Sequence, residues 1–127
     1  MYSNYWHCDP HPIDSIKLFV LLNDVNEENG PFHYLNESDT NKLAKGFNRK
    51  SDGVPGEKVE QHSNTKTLTG KAGRAMLFNT NRLLHRAGNP EPDNPRDMLL
   101  IQFIPSIHNT TSDDWRTRAK KGVAHVE

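Results

Sequence analysis

The sequence predicts an all-β protein, a sandwich or barrel of short strands. Three observations predict it. Apolar residues gather in short runs rather than long periodic stretches, turn signals rich in Gly, Pro and Asn separate the runs, and no long amphipathic helices alternate with them. The last point argues against a parallel α/β sheet.

Each element follows from its residues. Ile16-Lys17-Leu18-Phe19-Val20-Leu21-Leu22 is the longest apolar run, partly β-branched and aromatic, too short for a helix and closed by Asn23-Asp24. It reads as a buried strand. Asn26-Glu27-Glu28-Asn29-Gly30-Pro31 is a turn, and Phe32-His33-Tyr34-Leu35 a short strand. From Asn36 to Lys66 the chain is polar and carries Asp52-Gly53 and Pro55-Gly56, which predicts a solvated loop or a lid over residues 36–66. Thr67-Leu68-Thr69 resumes order, Gly70–Gly73 turns, and Arg74–Phe78 is a strand. The turn-rich Asn89–Pro95 leads into Met98–Ile104, the second strong strand, closed by Pro105. A short C-terminal helix or tail is expected over 111–127. Thr111 or Ser112 would cap it, with Asp113 and Asp114 in its first turn and Lys120 and Lys121 in its last.

The 127 residues suit a single domain spanning 1–127. Lys plus Arg is 16 and Asp plus Glu is 16, so the net charge is zero and the basic excess of a nucleic-acid binder is missing. No run approaches the roughly 18 apolar residues of a membrane span. The start, Met1-Tyr2-Ser3-Asn4-Tyr5, has no basic or apolar leader, and Cys8 alone cannot build a disulfide framework. A reducing, cytoplasmic setting is expected. Hydrophobic residues are only 33% of the chain and mean hydropathy is −0.85, so the core must be thin.

The chemistry gathers around histidines. His7 and Asp9 lie two apart in Trp6-His7-Cys8-Asp9, and on a strand such residues share a face. A second histidine from a distant strand would complete a 2-His-1-carboxylate set, which leaves metal positions open and marks non-haem Fe(II) oxygenases. His85 is the natural candidate, since it follows a strand and sits beside small residues in His85-Arg86-Ala87-Gly88. Eleven positions on is Arg96, whose guanidinium suits the end of a dicarboxylate. Cys8 should point to the opposite face and be buried and inert. Trp6 and Phe19 read as core, His11 and His33 as surface, and Lys17 as a strand-edge residue facing solvent.

Taken in order, Trp6-His7-Cys8-Asp9, Lys17–Val25, Glu28-Asn29-Gly30-Pro31-Phe32, Gly70-Lys71-Ala72-Gly73 leading to Leu84-His85-Arg86, and Pro95-Arg96 before Leu99–Phe103 resemble the phytanoyl-CoA dioxygenase-like (PhyH) branch of the Fe(II)/2-oxoglutarate oxygenases. The resemblance implies a double-stranded β-helix, the cupin-like jelly roll, and a metal triad of His7, Asp9 and His85. It implies Arg96 as the partner of the distal carboxylate of 2-oxoglutarate. Fe(II), 2-oxoglutarate and O2 would be the cofactor and co-substrates. The reaction would hydroxylate a small molecule and convert 2-oxoglutarate to succinate and CO2. Related halogenases have a small residue in place of the carboxylate, so Asp9 implies hydroxylation.

There are departures. Glu37-Ser38-Asp39 stands where members commonly show Gly-Ser-His, and Ala87 where a small hydroxyl residue is frequent. Relatives carry a long region before H-x-D, whereas six residues precede His7 here. An N-terminally truncated form is therefore expected, with an open sheet edge or a second copy completing it. Charge and hydropathy together lead to an expectation of no nucleic-acid and no membrane partner. Two other readings compete: a non-catalytic or degenerate metal-binding jelly-roll module, and a cupin-like Zn or Mn enzyme in which the same ligands serve and Arg96 has no part.

Overall fold

A computed structural model describes residues 5–10, 15–48, 53–62 and 64–104. The helix expected over 111–127 lies outside them. Two three-stranded antiparallel sheets dominate, built from β1 (Ile16–Leu21), β2 (Phe32–Tyr34), β3 (Lys66–Leu68), β4 (Ala75–Phe78), β5 (His85–Arg86) and β6 (Met98–Phe103). One sheet has the order β4-β1-β6 and the other β3-β2-β5. The second sheet is extended by two isolated bridges, His7 to His85 and Trp6 to Val54. The four predicted strand regions correspond to β1, β2, β4 and β6, with ends shifted by a residue at most.

The sheets meet through aromatic side chains. Phe19 of β1 stacks on Phe32 of β2 at 4.8 Å, and Phe32 approaches Phe78 of β4 at 5.1 Å. Leu21, Val25 and Leu68 complete this buried cluster, with Tyr34, Met76, Leu83 and Met98 around it. Offset and edge-on ring contacts of this kind add to the stabilisation that area burial supplies.

The polar segment after Asn36 is more ordered than its composition predicts. It forms α1 (Glu37–Leu43) and α2 (Gly56–Glu60). Asn36 caps α1, accepting from the Asp39 amide at 2.8 Å. Ala44, Val54 and Val59 pack with Trp6, Cys8, Leu35 and Leu84 into a second buried cluster, with the partly buried Leu43 against it. Those few apolar residues, spaced among many polar ones, fasten the segment to the back of the β3-β2-β5 sheet. Asp39 is buried there, 3.2 Å from His62 Nε2 and accepting from Asn36 Nδ2 and Asn64 Nδ2.

The outer face of β4-β1-β6 is different. Ile16, Leu77, Leu99, Ile101 and Phe103 are all exposed on it among the described residues. β1 and β6 are therefore apolar on both faces, the pattern of strands that are covered on two sides. No helix of the described residues is long and apolar enough to cross a membrane.

A close backbone approach shapes one end of the molecule. Gly30 closes the 3-10 turn Glu27–Asn29 with φ 57°, and a Cβ built there would lie 2.2 Å from the Asn89 carbonyl carbon. Gly88 faces it, donating its amide to the Pro31 carbonyl at 3.0 Å. Gly46 also has positive φ, but a Cβ there meets nothing within 4 Å. Gly30→Ala is expected to destabilise by more than about 2 kcal/mol, from left-handed strain plus backbone overlap, and Gly46→Ala by about 1 kcal/mol from strain alone. Urea unfolding of the two variants checks the difference.

Candidate metal centre

The site is assembled on one backbone pairing. His7 and His85 sit directly opposite each other and exchange both amide hydrogen bonds, each at 3.0 Å. Their rings consequently lie on the same face, with centroids 4.5 Å apart. Asp9, two residues on, is held by its amide to the Thr80 carbonyl at 2.8 Å. Asn81 supports the same turn, donating from Nδ2 to the Asp9 carbonyl at 3.4 Å.

Both rings are oriented through Nδ1. His7 Nδ1 lies 2.8 Å from the Tyr5 carbonyl and His85 Nδ1 2.9 Å from the Leu83 carbonyl. A carbonyl only accepts, so each Nδ1 is assigned the proton, and in the neutral ring Nε2 carries a lone pair. The two Nε2 atoms point toward Asp9 Oδ1, at 3.8 Å from His7 and 3.6 Å from His85. One donor atom from each of the three residues lies within 4.8 Å of the others. Bonds of about 2.0–2.2 Å from a single point between them span the 3.6 and 3.8 Å separations of the two Nε2 atoms from Asp9 Oδ1. Two imidazole lone pairs and a carboxylate oxygen repel one another until a cation sits among them. The donor set and its outer hydrogen bonds therefore fit a divalent metal ion.

Electrostatics agree. Burial is the largest influence on His7 and lowers its pKa below the ordinary histidine value, outweighing the Tyr5 carbonyl, so the ring is neutral near pH 7. Burial alone would raise the Asp9 carboxyl. Donors to the carboxylate, the Lys17 ammonium among them, outweigh it and leave Asp9 well below the usual carboxylate range.

Among the sequence-predicted residues, His7, Asp9 and His85 come together. Arg96 is in the loop before β6. It is partly buried, with Nη1 3.5 Å from the Gly88 carbonyl. Its backbone is tightly bracketed: Asn23 and Asn29 both donate to the Pro95 carbonyl, at 2.8 and 3.0 Å, and the Asp97 amide donates to Asn23 Oδ1 at 2.8 Å. Cys8 is buried on the face away from the triad, and Trp6 and Phe19 are core.

Lys17 differs from its expected place facing solvent. Its side chain points inward and its Nζ lies 2.5 Å from Asp9 Oδ2. Strand parity carried the signal, because Lys17 shares a face with Phe19 and Leu21, but it needed a fixed strand start to be read. His33 is half-buried and edge-on to Trp6 rather than on the surface.

The depressed Asp9 value makes stability pH-dependent. An unfolded chain takes up this proton near the ordinary carboxylate value of about 3.9, whereas the folded chain resists it until lower pH. The stabilisation is fully present above the unfolded value and is lost as pH falls through the folded one. Urea unfolding of the metal-free chain from about pH 5 to about pH 2 is expected to show declining stability. Asp9→Asn should flatten that decline by about one proton.

A search of the curated proteins finds no match. A scan against protein-family models matches the one described as phytanoyl-CoA dioxygenase (PhyH) over residues 3–98, about three quarters of the chain. The matched span contains the H-x-D segment, the strand of the second histidine and the bracketed Arg96. On that extent of agreement the chain belongs to the phytanoyl-CoA dioxygenase (PhyH) family.

Proposed function

We propose that the chain is an Fe(II)/2-oxoglutarate-dependent dioxygenase that hydroxylates a small molecule while 2-oxoglutarate becomes succinate and CO2, on a double-stranded β-helix. Family membership implies an oxygenase of this general type. The observation that supports the reading most is the convergence of His7 Nε2, His85 Nε2 and Asp9 Oδ1, with each Nδ1 anchored on a backbone carbonyl.

His7, Asp9 and His85 would hold the iron, which when bound activates O2 at positions that the protein ligands leave open. The chain's own residues supply the rest. The Tyr5 and Leu83 carbonyls fix both imidazole rings, and the amide bond to Thr80 fixes the turn that carries Asp9. Arg96 would grip the distal carboxylate of 2-oxoglutarate through paired hydrogen bonds. Burial has already stripped part of the water from that guanidinium, as its lowered pKa records. Phe32, whose ring lies 5.3 Å from that of His85, gives the site an apolar wall that shields the reaction from water. Asp9 supports hydroxylation over halogenation, because a carboxylate occupies the position where a halide would need to bind.

The direct test is succinate formation from 2-oxoglutarate with Fe(II) and ascorbate, counting turnover uncoupled from any substrate. The wild-type chain should turn over, and Asp9→Ala and His85→Ala should each lose at least about a hundredfold. Arg96→Ala should raise the KM for 2-oxoglutarate by at least about tenfold, the weight of a lost charge-assisted pair. Metal binding without any response to 2-oxoglutarate would instead identify a non-catalytic metal-binding module.

A further inference from the structure

Asp9 offers its two oxygens to different neighbours. Oδ1 faces the two imidazoles, and Oδ2 holds Lys17 Nζ at 2.5 Å. Lys17 reaches it from the inner face of β1, and the two side chains are only 13% and 14% exposed. An ammonium in that setting is costly unless paired, so this contact belongs to the design of the site and not to its surface.

Two effects follow from its position. An ammonium held on one carboxylate oxygen favours metal binding through the other alone, and a one-oxygen ligand leaves more positions open. The charge balance also shifts. Without metal, the Asp9 carboxylate and the Lys17 ammonium offset each other. A divalent cation then leaves the centre with an excess of two positive charges. The metal-facing carboxylate of a dicarboxylate dianion offsets part of that excess, its distal carboxylate being met by Arg96.

We propose that Lys17 is a positioning residue that weakens binding of a bare divalent cation and strengthens binding of a dicarboxylate dianion to the loaded centre. The idea rests on the reading of His7, Asp9 and His85 as metal ligands and of 2-oxoglutarate as the dianion. Like charge beside the metal acts against it, and the same charge beside an incoming anion acts for it. The two effects have opposite sign, which a purely structural role would not produce.

The experiment measures two affinities by calorimetry on the full chain: Co2+ alone, then 2-oxoglutarate on the Co2+-loaded protein without turnover. Lys17→Met is expected to bind Co2+ about tenfold or more tightly than wild type, and then to bind 2-oxoglutarate about tenfold or more weakly. Lys17→Arg, which keeps the charge, should stay near wild type in both. Lys17→Gln, read on the same two quantities, replaces Lys17→Met if circular dichroism shows that variant unfolded. Weakening of both affinities, or change in neither, overturns the proposal. If wild type binds Co2+ but not 2-oxoglutarate, the proposed function falls, and the Co2+ ratio decides Lys17: tighter binding in Lys17→Met supports the proposal, and equal or weaker binding overturns it. A wild-type chain that binds no Co2+ overturns both.

Discussion

The paired amides of His7 and His85 are the constraint on which the site depends. Two backbone hydrogen bonds at 3.0 Å put the two imidazoles on one face, and their Nδ1 contacts to the Tyr5 and Leu83 carbonyls then orient the rings. Once those rings share a face, a carboxylate two residues along the first segment reaches the same point. The Asp9 amide on Thr80 then fixes the third donor. The geometry is thus inherited from sheet pairing. Directly opposed residues on adjacent strands have nearly invariant spacing, which is a more precise support than a loop offers.

The rest of the fold serves that pairing. β2 flanks β5 on its other side, with Tyr34 opposite His85, so the strand carrying the second histidine is held on both edges. Behind it, α1 and α2 bury Trp6 and Cys8, the residues that alternate with His7 and Asp9. In front, the Phe19, Phe32 and Phe78 cluster fills the space between the sheets. Three residues after His85, Gly88 faces Gly30, and the two glycines let the Asn26–Pro31 turn press against the loop that bears Arg96. Asn23 and Asn29 clamp that loop through the carbonyl of Pro95.

Much of this was legible in the chain because short-range rules govern it. β1, β2, β4 and β6 follow from apolar runs between turn signals. The i, i+2 spacing of His7 and Asp9 follows from strand alternation. The order of the motifs marked His85. What was not legible depends on long-range packing. β5 has only two residues, too few for any pattern, and exists because strands on either side pair with it. The polar segment holding α1 and α2 looked unstructured because so few of its residues are apolar, yet those few are the ones that meet Trp6. Lys17 was misassigned to solvent because local sequence does not reveal which face of a doubly apolar strand is inner.

That last ambiguity has a consequence for how β1 finds its place. In a strand with one polar face, sliding by a single residue would expose the core side and is forbidden by hydrophobicity. β1 has no such guard: Ile16, Leu18 and Val20 on one side are as apolar as Phe19 and Leu21 on the other. The polar residue on each of β1 and β6 is what tells the faces apart. Lys17 and Gln102 stand opposite each other in the ladder, one bound to Asp9 and the other donating to Ser15 Oγ at 3.0 Å. A slipped strand would strand both away from their partners. These two partly buried polar residues thus act as an alignment key for the sheet, and the residue proposed to tune the candidate metal centre also tells β1 which way to face.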